Sequence, residues 1–186
     1  MERSAADSIQ QFINTLRNER RLSDNTLKAY TRDLSRLSQY CDDQQIVSWN
    51  KLDVHDVRLF MTNRHRTGLG SRSLQRELSA CRTFFDFLIK KQGLPYNPAT
   101  TVRAPKATKA LPKVLDVDQI NAMLDASVTD DLDVRDVAMW EVMYSSGLRV
   151  SEVADLNLFD VDFSSGTVQV MKGKGNKARL LPFPFI

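Results

Sequence analysis

A chain of 186 residues with 42% hydrophobic and 26% charged residues is long enough for one large globular domain or two small ones. It has no run of about 18 apolar residues that would serve as a membrane-spanning helix, and Met1-Glu2-Arg3-Ser4 does not read as a signal peptide. The net charge of +3 conceals a segregation: residues 1–95 carry +5, 96–115 carry +4, 116–166 carry −10 and 167–186 carry +4, a pattern of basic surfaces for a polyanion around an acidic scaffold.

The first predicted helix runs from Ala5 to about Arg20, with Ile9, Phe12, Ile13 and Leu16 at helical spacing. Ser23 is the predicted N-cap of a second helix, with Leu27, Tyr30, Leu34, Leu37 and Cys41 on one face. Lys28, Arg32 and Arg36 stand four apart on its other faces. A third helix starts near Asp53, uses Val54, Val57, Phe60 and Met61, and ends at Thr67-Gly68-Leu69-Gly70. Ser71 opens a fourth, with Leu74, Leu78, Cys81, Phe85 and Leu88 inward, Arg72, Arg76 and Arg82 elsewhere, and Gly93 at its end. Cys41 and Cys81 both fall within helical patterns, so buried thiols in a reducing, cytoplasmic setting are expected. Residues 5–95 therefore read as a four-helix module. Its helix arginines are solvated, paired with acids such as Asp33, or aimed at nucleic acid; two basic helices in one module keep the last reading open.

Residues 96–115 change texture. Prolines recur from Pro95 to Pro112, and Arg103, Lys106, Lys109 and Lys113 have no acid among them, as suits an extended linker tracking a phosphate backbone. A second domain is expected over 116–186. It opens with a short helix using Val117, Ile120, Met123 and Leu124, capped by Asp116 or Asp118. An apolar helix, Val137–Tyr144, reads as buried, and Gly147 breaks it. Ser145, Ser146 or Ser151 is the expected cap of the next helix, which runs to near Asn157. Thr167–Met171 and Ala178–Leu181 then alternate as a β-hairpin, with Ser164-Ser165-Gly166 turning into its first strand. The predicted fold class is mainly α with a small β-hairpin or sheet (α+β).

Two features carry chemistry. Arg149 sits where one helix ends and the next begins, a place where unpaired N–H groups and a guanidinium fork together suit a phosphate; burial as a structural ion pair is the plainer alternative. The hairpin tip Lys172-Gly173-Lys174-Gly175-Asn176-Lys177 combines charge with close backbone approach. It is not a P-loop, because a strand follows where that motif needs a helix. An ordinary exposed loop has the same composition.

Gly147-Leu148-Arg149-Val150-Ser151-Glu152 and Gly173-Lys174-Gly175-Asn176-Lys177-Ala178-Arg179 together resemble the tyrosine recombinase (phage integrase) family, as does Leu22–Leu34 in the first module. Ala104-Pro105-Lys106, Leu111-Pro112-Lys113 and Val134–Tyr144 narrow the resemblance to the Xer subgroup. It extends over residues 8–182. The resemblance implies a SAM-like core-binding domain, a linker and the N-terminal half of a catalytic domain. It also implies strand exchange through a 3′-phosphotyrosyl link, with no metal or nucleotide cofactor. Arg149 matches the arginine that stabilises the phosphorane. Lys174, between two glycines, matches the lysine that protonates the leaving oxygen, with Lys172 as its rival, and Glu152 is placed to hold Arg149 by an i,i+3 contact. Lys28, Arg32, Arg72, Arg76, Arg82, Lys106, Lys113, Lys177 and Arg179 are the candidate DNA contacts. Implied partners are duplex DNA at a specific site, an XerD-like sister recombinase in a heterotetramer, and a septal DNA translocase. The implied role is chromosome dimer resolution at cell division.

In that family the His-x-x-Arg box and the nucleophilic tyrosine lie downstream of the hairpin. Here His55 and His65 lie in the first module, and Tyr30, Tyr40, Tyr96 and Tyr144 all precede the hairpin. The expectation is a C-terminally truncated recombinase that binds DNA without cleaving it. The alternatives are a phage- or integron-type integrase, a non-catalytic DNA-binding regulatory fragment, and a helical protein-interaction domain with incidental charge.

Overall fold

The computed structural model describes residues 3–106, 111, 114–125, 127–171 and 178–183. The chain divides into two compact units, Met1–Ala110 and Leu111–Ile186.

The first unit is helical: α1 (Arg3–Asn18), α2 (Asp24–Asp43), α3 (Val54–Arg66) and α4 (Ser71–Gln92), with a 3₁₀ turn at Trp49–Lys51. Local chemistry sets the boundaries as expected. The Ser23 hydroxyl accepts from the Thr26 N–H, Asp53 and Asp56 form a reciprocal capping box, and Gly93 ends α4 in the left-handed region at φ 70°. The core is built from the apolar faces of all four helices. Phe84 meets Phe12 edge-on at 5.4 Å and Trp49 at 5.0 Å, so the 3₁₀ turn plugs the core as well. Each fully buried phenylalanine contributes roughly 2–3 kcal/mol of apolar transfer energy. Cys41 and Cys81 are free and buried, and burial pushes the Cys41 thiol up to about 12.

The core also contains two carboxylates. Asp33 on α2 accepts from Arg76 Nε at 2.9 Å and Nη2 at 3.0 Å, with Arg36 beside it at 3.6 Å. Glu77 on α4 accepts from Arg64 Nε at 3.1 and 3.2 Å. Both carboxyl side chains are wholly buried, so these guanidiniums tie the helices together through charge-assisted bonds.

The first part of the basic Pro-rich stretch belongs to this unit. Ala99 and Val102 are core residues; Arg82 donates to their carbonyls, Asn97 donates to the Arg82 carbonyl, and Gln75 donates to the Pro105 carbonyl. Prolines prevent this segment from being helical, and α4 side chains satisfy its carbonyls instead.

The second unit comprises α5 (Val117–Leu124), α6 (Asp131–Ser146), α7 (Val150–Ala154), a 3₁₀ turn at Leu158–Asp160, and strands β1 (Val161–Asp162), β2 (Thr167–Val170) and β3 (Arg179–Pro182). The strands form an antiparallel sheet in the order β1-β2-β3, with Val168 opposite both Val161 and Leu181. The sequence pattern identified β2 and β3; β1, two residues long, is too short to show a period. Leu148, Val153, Val168 and Val170 form a small core, against which Met139, Val142 and Met143 lean.

Two expectations change here. α6 was expected to be buried, yet it has no buried residue, and Trp140 and Tyr144 stay exposed because the small core reaches only one side of it. α7 ends at Ala154 rather than near Asn157, since Asn157 begins the 3₁₀ turn with Asp160 accepting its N–H. Among the described residues, no helix is long and apolar enough to cross a membrane.

Candidate functional site

Gly147 terminates α6 at φ 63° and ψ 29°, a left-handed conformation that a side chain would strain. Leu148 then turns into the core, and Arg149, extended at φ −80° and ψ 151°, turns outward. Arg149 itself is the N-cap of α7. This corrects the serine-cap expectation: Ser145 donates to the Val142 carbonyl, Ser146 to the Pro182 carbonyl, and neither caps α7. It also alters the picture of open N–H groups at the helix start, because the Arg149 N–H is accepted by Glu152 Oε2 at 2.9 Å.

Glu152 is the centre of the site. Its side chain is only 5% exposed and receives four hydrogen bonds from the described residues. Arg149 Nη1 donates to Oε1 at 3.0 Å, the contact anticipated from the i,i+3 spacing. Arg179 of β3 adds a bidentate fork, Nη1 to Oε1 at 2.9 Å and Nη2 to Oε2 at 2.8 Å. The Arg179 fork, followed by the Arg149 N–H, holds the Glu152 carboxyl down at about 2. Two guanidiniums on one carboxylate leave a formal +1. The Arg149 side chain is 60% exposed, and its remaining donors have no partner among the described residues. Such a cation, held by Glu152 through Nη1 with its other donors open, can donate to a phosphate oxygen.

The other predicted residues fall into three groups. Lys28, Arg32, Arg72 and Lys106 are exposed. Lys28 and Arg32 line a groove of about 290 Å³ between α1 and α2, together with Arg17, which sequence reasoning passed over. Arg76, Arg82 and Arg179 are engaged within the chain, their forks taken by Asp33, by the Ala99 and Val102 carbonyls, and by Glu152. Lys113, Lys174 and Lys177, with the rival Lys172, lie outside the described residues. The Glu152–Arg179 link was missed because it joins residues 27 apart, beyond any local spacing rule.

Comparison with known proteins gives a consistent result. The phage integrase N-terminal SAM-like domain family matches residues 9–92, and the phage integrase family matches residues 113–185. The chain is 46% identical over 168 residues to a tyrosine recombinase XerC of Pseudomonas syringae pv. tomato, covering 90% of this chain and 56% of that protein. It is 45% identical over 174 residues to tyrosine recombinase XerC of Escherichia coli O1:K1 / APEC, covering 94% and 58%. The chain thus spans somewhat more than half the length of these relatives. Among solved structures, a lambda integrase tetramer bound to a Holliday junction aligns with a TM-score of 0.70 at 16% identity, covering 97% of this chain and 51% of that one. The XerH recombinase bound to palindromic difH aligns with a TM-score of 0.63 at 16% identity, covering 95% and 52%. At that identity the likeness is one of fold.

Proposed function

This chain belongs to the phage integrase family of tyrosine recombinases, and from that footing we propose that it is part of an XerC-type site-specific recombinase in which Arg149 binds the phosphate of the exchanged strand. The observation that carries the reading is the Arg149 guanidinium, fixed at one edge by Glu152 and exposed at the other. In the proposed chemistry a tyrosine oxygen attacks the scissile phosphorus. The bond to the 5′ oxygen breaks, and a 3′-phosphotyrosyl link and a free 5′-hydroxyl result. Charge grows on the non-bridging oxygens at that moment, and a preorganised cation lowers the barrier by several kcal/mol in sites of this kind. Lys174 is assigned to protonate the departing 5′ oxygen, a role suited to an amine among other cations. The transfer balances, with one phosphoester formed for each one broken and the tyrosine proton lost as the leaving oxygen gains one.

Lys28, Arg32, Arg72, Lys106, Lys113 and Lys177 are proposed as phosphate contacts that position the duplex, which sequence-independent Lys and Arg contacts do well. Arg76 and Arg82, already engaged inside the first unit, are assigned to holding α2, α4 and the segment after α4 in place. Duplex DNA, an XerD-like sister recombinase, a septal translocase, a cytoplasmic location and a role in chromosome dimer resolution at cell division complete the proposal; they rest on the resemblance of residues 104–106, 111–113 and 134–144 to the Xer subgroup.

The tyrosines of this sequence all precede the Lys174 segment, so the 186 residues are proposed to bind duplex DNA in a salt-sensitive manner without forming a covalent link. A nicked suicide duplex tests this. The expected result is a salt-dependent shift and no protein–DNA adduct resistant to detergent. An adduct would overturn the proposal that these 186 residues form no covalent link to DNA.

A further inference from the structure

Arg179 is the first residue of β3, opposite Val170 of β2, and is separated from the lysine-rich segment 172–177 by Ala178 alone. Its fork covers both oxygens of Glu152 in parallel, while the Arg149 guanidinium reaches only Oε1 through a single nitrogen. The two arginines therefore share one carboxylate unequally. A carboxylate that is nearly buried requires its lone pairs to be filled. With the Arg179 fork in place, that demand is met without drawing in the rest of Arg149. With the fork removed, the strongest remaining donor is Arg149 itself, and a bidentate Arg149–Glu152 pair would consume both the geometry and the charge that a phosphate needs.

We propose that Arg179 is a positioning residue: by occupying and neutralising Glu152, it keeps Arg149 singly anchored, charged and open to a phosphate oxygen. This rests on the reading that Arg149 binds phosphate. It assigns Arg179 to the anchoring of Arg149 rather than to direct contact with DNA, since both of its terminal nitrogens are engaged with Glu152. It also ties the strand that follows the lysine segment to the arginine, through one carboxylate on α7.

The test compares the 186-residue chain with R149Q, R179Q, R179K and the double variant E152Q/R179Q. Binding to a fluorescein-labelled duplex is followed by anisotropy across a salt series, and amide dispersion in 1H–15N spectra confirms folding. Loss of one phosphate contact lowers the slope of log K against log salt by about 0.9. R149Q is expected to show that loss, and R179Q to show the same loss although Arg149 is present. E152Q/R179Q is expected to restore the slope, because no carboxylate remains to capture Arg149; a purely structural staple predicts no such rescue. R179K, which keeps the charge and loses the fork, is expected to fall between. If R179Q does not fold, R179K and the double variant carry the comparison. The inference alone is overturned if R149Q lowers the slope while R179Q does not, or if the double variant is no better than R179Q. If R149Q leaves the slope unchanged, the phosphate reading itself fails and the inference falls with it.

Discussion

The two units solve one problem in two ways. In each, a carboxylate with little or no exposure is gripped bidentately by one arginine and touched by a second arginine three residues away in sequence: Asp33 by Arg76 and Arg36, Glu152 by Arg179 and Arg149. In the first unit the second arginine lies 3.6 Å from a residue in the middle of a 20-residue helix, within a core of four helices. In the second it is the N-cap of a five-residue helix over a core of four buried apolar side chains among the described residues, and it is 60% exposed. The second guanidinium is 40% exposed in the middle of α2 and 60% exposed at the start of α7. The difference separates an ion pair that holds a fold from one that presents a cation.

Removing the gripping arginine should affect the two units differently. R76A leaves Asp33 buried beside a loosely held Arg36 and is expected to cost the first unit about 3 kcal/mol, near the low end for breaking a buried pair because Arg76 is itself 39% exposed. Urea unfolding followed by Trp49 fluorescence measures this; a loss under about 1 kcal/mol, the range of a surface pair, would contradict the fold-holding role.

Acid should separate the units further. Arg179 and Arg149 hold the Glu152 carboxyl at about 2, below its unfolded value of about 4.3, so its stabilisation is complete above that value and is lost as pH falls toward 2. Asp133 and Asp162 are lowered too, by hydrogen bonds from Thr129 and Ser165. In the first unit Asp53 is lowered by the Asp56 backbone, whereas burial raises Glu77, whose protonation favours the folded state as pH falls. The second unit is therefore expected to lose amide dispersion first between about pH 4.5 and 2. Simultaneous loss in both units would refute this.

Smaller effects follow at the surface. Neutralising Lys28 and Arg32 together is expected to lower the salt slope of duplex binding by about 1.8 while leaving the urea midpoint of the first unit within about 0.5 kcal/mol of its starting value. A destabilised midpoint would place these cations in the fold-holding class. The exposed Trp140, Tyr144 and Phe159 of the second unit predict weak, concentration-dependent association, which monodisperse monomers in light scattering would contradict.

Local chemistry was readable from residues alone. Caps such as Ser23 and Asp53, the left-handed Gly93 and Gly147, the apolar faces of four helices and the alternation of β2 and β3 are all written within a few residues of where they act, because capping, glycine conformation and side-chain periodicity depend on near neighbours. The i,i+3 contact of Glu152 with Arg149 belongs to the same class. Tertiary structure alone decided which arginines face inward. Arg76 reaches an acid 43 residues away, Arg82 reaches a carbonyl 17 residues away and Arg179 an acid 27 residues away. Nothing local distinguishes them from the exposed Lys28, Arg32 and Arg72, because a long cationic side chain has the same helical spacing whether its partner is buried acid or water. The sequence by itself determined that Arg149 stands at a helix junction. Only the approach of β3 decided that Glu152 is already filled and that Arg149 is open.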